Sequence, residues 1–245
     1  MTAFELAAQD RAAVDVAARI GADRIELCTA LALGGLTPSI GLIEYAVARR
    51  DQGGVTVHVL VRPRTGGFEY TPDELDASVA DIRAAVRAGA DGVVVGALRG
   101  GELDRDALAR FVAAADGACV TLHRAIDVLA DPAAALVGLA DLGIDRVLTS
   151  GGADDAGSGL DMIARMVASA PGLEIMAGGG VTVATVADLV SAGVDAVHAS
   201  AKSTTRDATS ISLGSAGAIG FEPVDEETAL RLVRAVRDAT IGVSR

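Results

Sequence analysis

The chain has 245 residues, of which 51% are hydrophobic and 2% aromatic, and its formal net charge is -12. That length suits one (β/α)8 barrel, usually about 250 residues, and leaves little for a second domain. The acidic balance and the lack of Trp argue against nucleic acid as a partner, and no apolar run approaches the roughly 18 residues of a membrane span. Two cysteines, Cys28 and Cys119, suit a reduced, cytoplasmic protein. The opening MTAFELAAQD has no basic segment followed by an apolar core, so it does not read as a secretory signal.

In chain order, strands are predicted near 3–7, 24–28, 55–61, 92–96, 118–123, 145–149, 173–177 and 195–199. Helices fill the gaps, starting at caps such as Asp10, Ser39, Thr71 and Asp131, the last followed by Pro132 at the first helical position. One phrase recurs four times, with Gly, an apolar residue and Asp closing an Ala-rich stretch and opening a strand. The copies begin at Gly21, Gly89, Gly143 and Gly193. Each Gly reads as a helix C-cap. Four copies of a two-strand unit make eight strands, and eight alternating strands and helices make a single-domain (β/α)8 TIM barrel spanning 1–245. Asp23, Asp91, Asp145 and Asp195 then mark the rim opposite the chemistry, which such barrels keep at the C-terminal strand ends. On that working rim, a long polar loop is expected at about 200–223.

Side chains alternate along a strand between the helix layer and the barrel interior. Val55, Val57, Val59 and Val61 form one apolar face of the third strand, so His58 and Arg62 must point inward. The same parity places Glu5, Glu26, Cys28, Thr121, His123, Met176 and His198 inside, while the fourth and sixth strands stay ambiguous. All three histidines of the chain therefore meet two glutamates and an arginine in one lumen, expected to form one connected polar cluster. A barrel needs only branched apolar layers to stand. Glu5, Glu26, His58, His123 and His198 are thus candidate catalytic groups for acid–base chemistry of a lyase or isomerase kind.

Arg62 and Arg124 end strands three and five, where their donor forks suit carboxylate or phosphate. Ser150-Gly151-Gly152 follows strand six, and Gly178-Gly179-Gly180 follows strand seven, before a helix starting near Thr182. Such turns present N–H groups to an anion, so these eight residues form a candidate anion site for a small anionic or polyhydroxylated molecule. Glu26 and the histidines also have the ligand types of a divalent metal such as zinc or manganese, though without a compact motif. Lys202, the only lysine, lies beyond the eighth strand and reads as a solvated loop residue.

From IELCTALALGGLTPS (25–39) onward the chain resembles the CutC family, named for copper homeostasis. The likeness continues through VHVLVRPRTGGFEY (57–70), VTLHRAID (120–127), RVLTSGG (146–152), MAGGGV (176–181) and VHASA (197–201). This resemblance implies a cytoplasmic (β/α)8 barrel, commonly a homodimer or homotetramer, associated with copper tolerance and in some members with copper(I) binding through cysteine. Cys28 matches one such cysteine. Two other positions where members often carry cysteine read Ala7 and Glu69 here.

Overall fold

In the computed structural model of the chain, the described residues are 1–52, 54–203 and 221–243. Most of the loop expected at 200–223 lies outside them. The strands are β1 (Ala3–Ala8), β2 (Arg24–Leu27), β3 (Thr56–Leu60), β4 (Gly92–Val95), β5 (Leu98–Arg99), β6 (Glu102–Leu103), β7 (Cys119–Leu122), β8 (Arg146–Thr149), β9 (Glu174–Ala177) and β10 (Ala196–Ala199). Eight of them close a parallel barrel in the order β1-β10-β9-β8-β7-β4-β3-β2, and β5 and β6 pair as a separate antiparallel hairpin above β4 that periodicity did not reveal. The barrel is the expected (β/α)8 fold.

The helices are α1 (Arg11–Ile20), α2 (Ile40–Arg50), α3 (Pro72–Arg87), α4 (Arg105–Ala115), α5 (Pro132–Ala135), α6 (Leu139–Leu142), α7 (Leu160–Ser169), α8 (Val183–Ser191) and α9 (Glu226–Val243). Asp10, Ser39, Thr71 and Asp131 accept from backbone N–H groups in the first turns of α1, α2, α3 and α5, as their side-chain chemistry demands. The fifth helical segment is two single turns, because Gly138 takes a left-handed backbone between them (φ 74°).

The repeated Asp has a mechanical task. Asp23, Asp91, Asp145 and Asp195 each accept, at 2.8 Å, the N–H of Phe4, Val57, Val120 and Ile175 respectively. Each also donates its own N–H to the carbonyl of that same residue. Every second strand is thus clasped to its predecessor at the N-terminal rim. The four preceding glycines are left-handed (φ 69–96°), turning the chain from helix into strand where a Cβ would be strained.

Outward-facing residues of the strands, among them Phe4, Leu6, Ile25, Leu27, Val57 and Val59, pack against the helices in one continuous core. Inside the barrel, apolar packing is confined to two small groups: Cys28, Leu60 and Val94 toward the mouth, and Leu148, Met176 and Ala196 on the opposite wall. The remaining interior is polar.

Candidate active site at the barrel mouth

Two arginines that were not anticipated as lumen residues set the floor. Arg24, at the start of β2, bonds Glu5 of β1 through Nε and reaches Met176 Sδ at 3.3 Å. Arg146, at the start of β8, donates to Thr121 Oγ1 at 3.1 Å, meets Glu174 Oε2 at 2.5 Å and lies 3.5 Å from His58 Nδ1. Parity in the second strand already implied an inward Arg24, two residues before Glu26. The sixth strand alternates too weakly to place Arg146.

Glu5 is fully buried, and its second oxygen takes Nδ1–H of His198 at 2.8 Å. Burial opposes its charge, but Arg24, His198 and His58 outweigh that and hold the carboxyl far below the usual range. Glu5 is therefore a fixed anion that orients His198. His58 is held neutral: burial lowers it to about 4, against the pull of Glu5 and with the help of Arg24 and Arg146.

Above this floor lies Glu26. It is 6% exposed, its carboxylate makes no hydrogen bond among the described residues, and its nearest charged partner is His198 Nε2 at 3.7 Å. Burial raises it to about 7; the His198 charge opposes this and the Glu5 anion reinforces it. His198 moves upward as well, since Glu26 and Glu5 outweigh its desolvation.

His123 closes the other side. Its Nδ1 accepts the N–H of Ala125 at 3.1 Å, so the neutral ring carries its proton on Nε2. That Nε2 is buried and has no hydrogen-bond partner among the described residues. Burial and the neighbouring Arg62 lower the ring to about 4, keeping it neutral. Phe68 packs on the ring with centroids 4.8 Å apart.

Each histidine occupies space that a glycine on an adjacent strand leaves open. A methyl group at Gly92 would stand 2.8 Å from His58 Cε1, one at Gly178 3.1 Å from His198 Cβ, and one at Gly96 would overlap the His123 ring. The first and third are closer than any Cβ comes, so Gly92 and Gly96 seat His58 and His123, whereas at Gly178 the nearest atom is Leu148 Cδ1, at 2.5 Å.

The two mouth arginines differ in freedom. Arg62 gives Nη1 to the carbonyls of Leu33 and Gly35 and Nη2 to that of Gly66, stapling two loops, while its buried Nε is unpartnered. Arg124 binds Asp127 Oδ2 through Nε at 2.7 Å and Ser150 Oγ through Nη2 at 2.6 Å; its Nη1, beside Gly179, has no partner among the described residues. The expected single cluster is therefore two tiers, with Arg62 outside the carboxylate–histidine network because backbone carbonyls claim it.

The expectation of open N–H groups along both glycine turns needs correcting. Asp127 accepts from the N–H groups of Ser150 and Gly152, and from Thr149 Oγ1 at 2.5 Å. Gly151 N–H goes to Thr149 Oγ1, and Gly178 N–H continues the sheet to the Thr149 carbonyl. Those four groups are consumed by the fold. Among the described residues, Gly179 and Gly180 are the two of the named glycines whose N–H groups have no acceptor, and they line the cavity. That cavity is about 230 Å³ and is bordered also by Glu26, His123, His198, Arg62, Arg124 and Ser200.

Copper(I) fits these residues poorly. Cys28 is fully buried beside Leu60 and Val94, and burial together with Glu26 pushes its thiol well above the ordinary range. The metal-binding form is the thiolate, and a soft ion needs further soft ligands. Cys119 begins β7, at the far end of the lumen, where Arg146 approaches its sulfur at 3.6 Å. Among the described residues no three His, Cys, Asp or Glu side chains form a group able to hold a metal ion. Lys202 stands apart from the site, paired with Glu222 at 2.7 Å.

Comparison with known proteins decides the family. The CutC family model matches residues 2–203. The chain belongs to the CutC family. It is 44% identical over 187 residues to the CutC protein of Photobacterium profundum, covering 75% of each chain, and 42% identical over 202 residues to that of Klebsiella pneumoniae, covering 82% and 81%. The CutC structure from Streptococcus agalactiae, whose name assigns it to copper homeostasis, superposes with a TM-score of 0.76 at 32% identity over 81% of this chain and 98% of that one. A thiamine phosphate pyrophosphorylase from Pyrococcus furiosus, at 12% identity and TM-score 0.62 over 97% and 96%, shares the fold alone. No helix among the described residues is long and apolar enough to cross a membrane.

Proposed function

We propose that this CutC-family barrel is an enzyme that moves a proton on a small anionic or polyhydroxylated carbonyl compound, in the manner of an isomerase or lyase. One observation carries this: a carboxylate that makes no hydrogen bond among the described residues, and that burial raises to about 7, shares a small cavity with a neutral imidazole whose buried donor is unpaired among them. Structural networks satisfy their buried groups. Catalytic ones keep an acceptor and a donor free, with a base poised near the working pH.

In this reading Glu26 takes the proton from the carbon next to the carbonyl. The C–H pair forms the new C=C bond, and the carbonyl pair moves to oxygen, where His123 Nε2–H stabilises the developing charge. For isomerisation of an α-hydroxy carbonyl compound, Glu26 returns the proton to the former carbonyl carbon, while His123 gives its Nε2 proton to the former carbonyl oxygen and takes that of the α-hydroxyl, whose oxygen becomes the new carbonyl. His198, oriented by Glu5, stands 3.7 Å from Glu26 and tunes its proton affinity. Glu5 and His58 act as positioning groups rather than touching substrate.

The family name associates the protein with copper homeostasis, and two free cysteines support a reducing, cytoplasmic setting. Direct copper(I) capture is not part of the proposal, given the buried, protonated state of Cys28. The test is carboxyl NMR of glutamate-labelled protein, alone and as Glu26→Gln. A carboxyl titrating near 7 and missing from the variant supports the reading. If every glutamate titrates below 5, the cavity has no base and the proposal fails.

A further inference from the structure

Glu26 of β2 and His123 at the end of β7 border the cavity from opposite sides. Its lining also holds donors for which proton transfer has no use. The turn before α8 leaves the N–H groups of Gly179, Gly180 and Val181 without acceptors among the described residues, and Gly179 and Gly180 are consecutively left-handed (φ 95° and 63°). Turns of this kind and a helix N-terminus both favour an anion. Ser200, just past β10, lines the same wall and makes no hydrogen bond among the described residues. Arg124 completes it: three hydrogen bonds from Nε and Nη2 lock the guanidinium, and Nη1 alone is left beside Gly179.

An independent observation says that something is meant to enter. His123, 5% exposed, borders the cavity, and its buried Nε2–H has no partner among the described residues. Leaving such a donor unpaired costs the fold desolvation free energy that an incoming acceptor recovers. The number and spread of donors select the acceptor. A carboxylate offers two oxygens in one plane. Amides from one turn, a serine from the next strand and an arginine Nη1 surround a volume, which matches a tetrahedral oxyanion with three free oxygens.

We infer that Gly179, Gly180, Val181, Ser200 and Arg124 form a phosphate subsite, and that the substrate is a short phosphorylated carbonyl compound with its carbonyl oxygen against His123 and its acidic C–H against Glu26. This rests on the proton-transfer proposal for the same cavity. The phosphate is a handle here: no bond to it forms or breaks, and its binding energy holds the reacting carbon at the base. A cavity of about 230 Å³ suits a small molecule.

The test uses the full ¹⁵N-labelled chain with inorganic phosphate, 2-phosphoglycolate and glycolate as probes. The amides of Gly179, Gly180, Val181 and Ser200 should shift with 2-phosphoglycolate and, at higher concentration, with phosphate, but not with glycolate. Glu26→Gln should keep these shifts, and Arg124→Met should weaken 2-phosphoglycolate about tenfold or more. The wild-type amide shifts stand as the readout even if Arg124→Met fails to fold.

Absence of the shifts overturns the inference, as does an equal response to sulfate that vanishes at physiological salt, which means an adventitious ion only. Phosphate binding as tightly as 2-phosphoglycolate overturns the ester and leaves free phosphate as ligand. Amides that respond while Glu26 titrates normally keep the subsite and remove the proton-transfer proposal, whereas a Glu26 near 7 with silent amides does the reverse.

Discussion

Replacing Glu26 by Gln should make the protein more stable, by an amount that grows as pH rises from 4.5 to 7 and is constant above. In the unfolded chain this carboxyl titrates near 4.5; in the fold burial moves it to about 7. At about 1.36 kcal/mol per pH unit, ionising it in place costs about 3 kcal/mol. Between those values the native state binds more protons than the unfolded state, so stability falls as pH rises through this window and the penalty is complete above 7. His198 works in the same direction, because its raised affinity stabilises the fold at low pH and the benefit is lost as it deprotonates. Part of that benefit comes from Glu26 and leaves with it, which reduces the net gain to about 1–3 kcal/mol. For a chain of this size that is a rise in Tm of roughly 2–10 °C at pH 8, shrinking toward zero at pH 4.5. Urea unfolding of both proteins between pH 4.5 and 8.5 measures it directly. A wild-type minus variant difference that is flat with pH would mean an ordinary Glu26, and the reasoning from its burial would be wrong.

The other expectations are independent of that result. Asp145→Ala should cost about 1–2 kcal/mol by removing a charged acceptor from Val120 N–H; Asp145→Asn, which keeps an acceptor, should cost less, and equal losses in urea unfolding would show that the clasp is not the cause. A methyl group at Gly96 overlaps the His123 ring, so Gly96→Ala should destabilise by about 1–3 kcal/mol and displace the ring. An unchanged His123 imidazole spectrum in that variant would contradict the seating of histidines on glycines. Imidazole ¹⁵N spectra should show His123 neutral with its proton on Nε2 at pH 6, since it titrates near 4; a doubly protonated ring there refutes the assignment. Competition titration under reducing conditions should find no tight copper(I) site, and tight binding abolished by Cys28→Ala would restore copper capture as the function.

Much of this architecture is legible in one dimension because it depends on local chemistry. The Gly-apolar-Asp phrase needs only a left-handed cap and a carboxylate at the strand start, so its four copies reveal the eight-strand count and the stable rim. Alternation in β3 puts His58 and Arg62 on one face by backbone geometry alone. What a side chain does on reaching that face is settled by neighbours far away in sequence. Arg62 and Arg124 look equivalent as arginines at strand ends, yet three carbonyls claim one and Asp127 locks the other with Nη1 free. Glu5 and Glu26 look like a pair of bases, but Arg24 and His198 make Glu5 a permanent anion, while burial raises Glu26 to about 7 against the weaker pull of His198 at 3.7 Å. The amides of Ser150–Gly152 and of Gly179–Gly180 read alike as glycine-rich turns, and only the positions of Asp127 and Thr149 decide that the first are spent, while the second have no acceptor among the described residues. Where alternation is clear, placement follows from local backbone rules that the sequence carries; charge state and availability follow from partners that closing the barrel brings together.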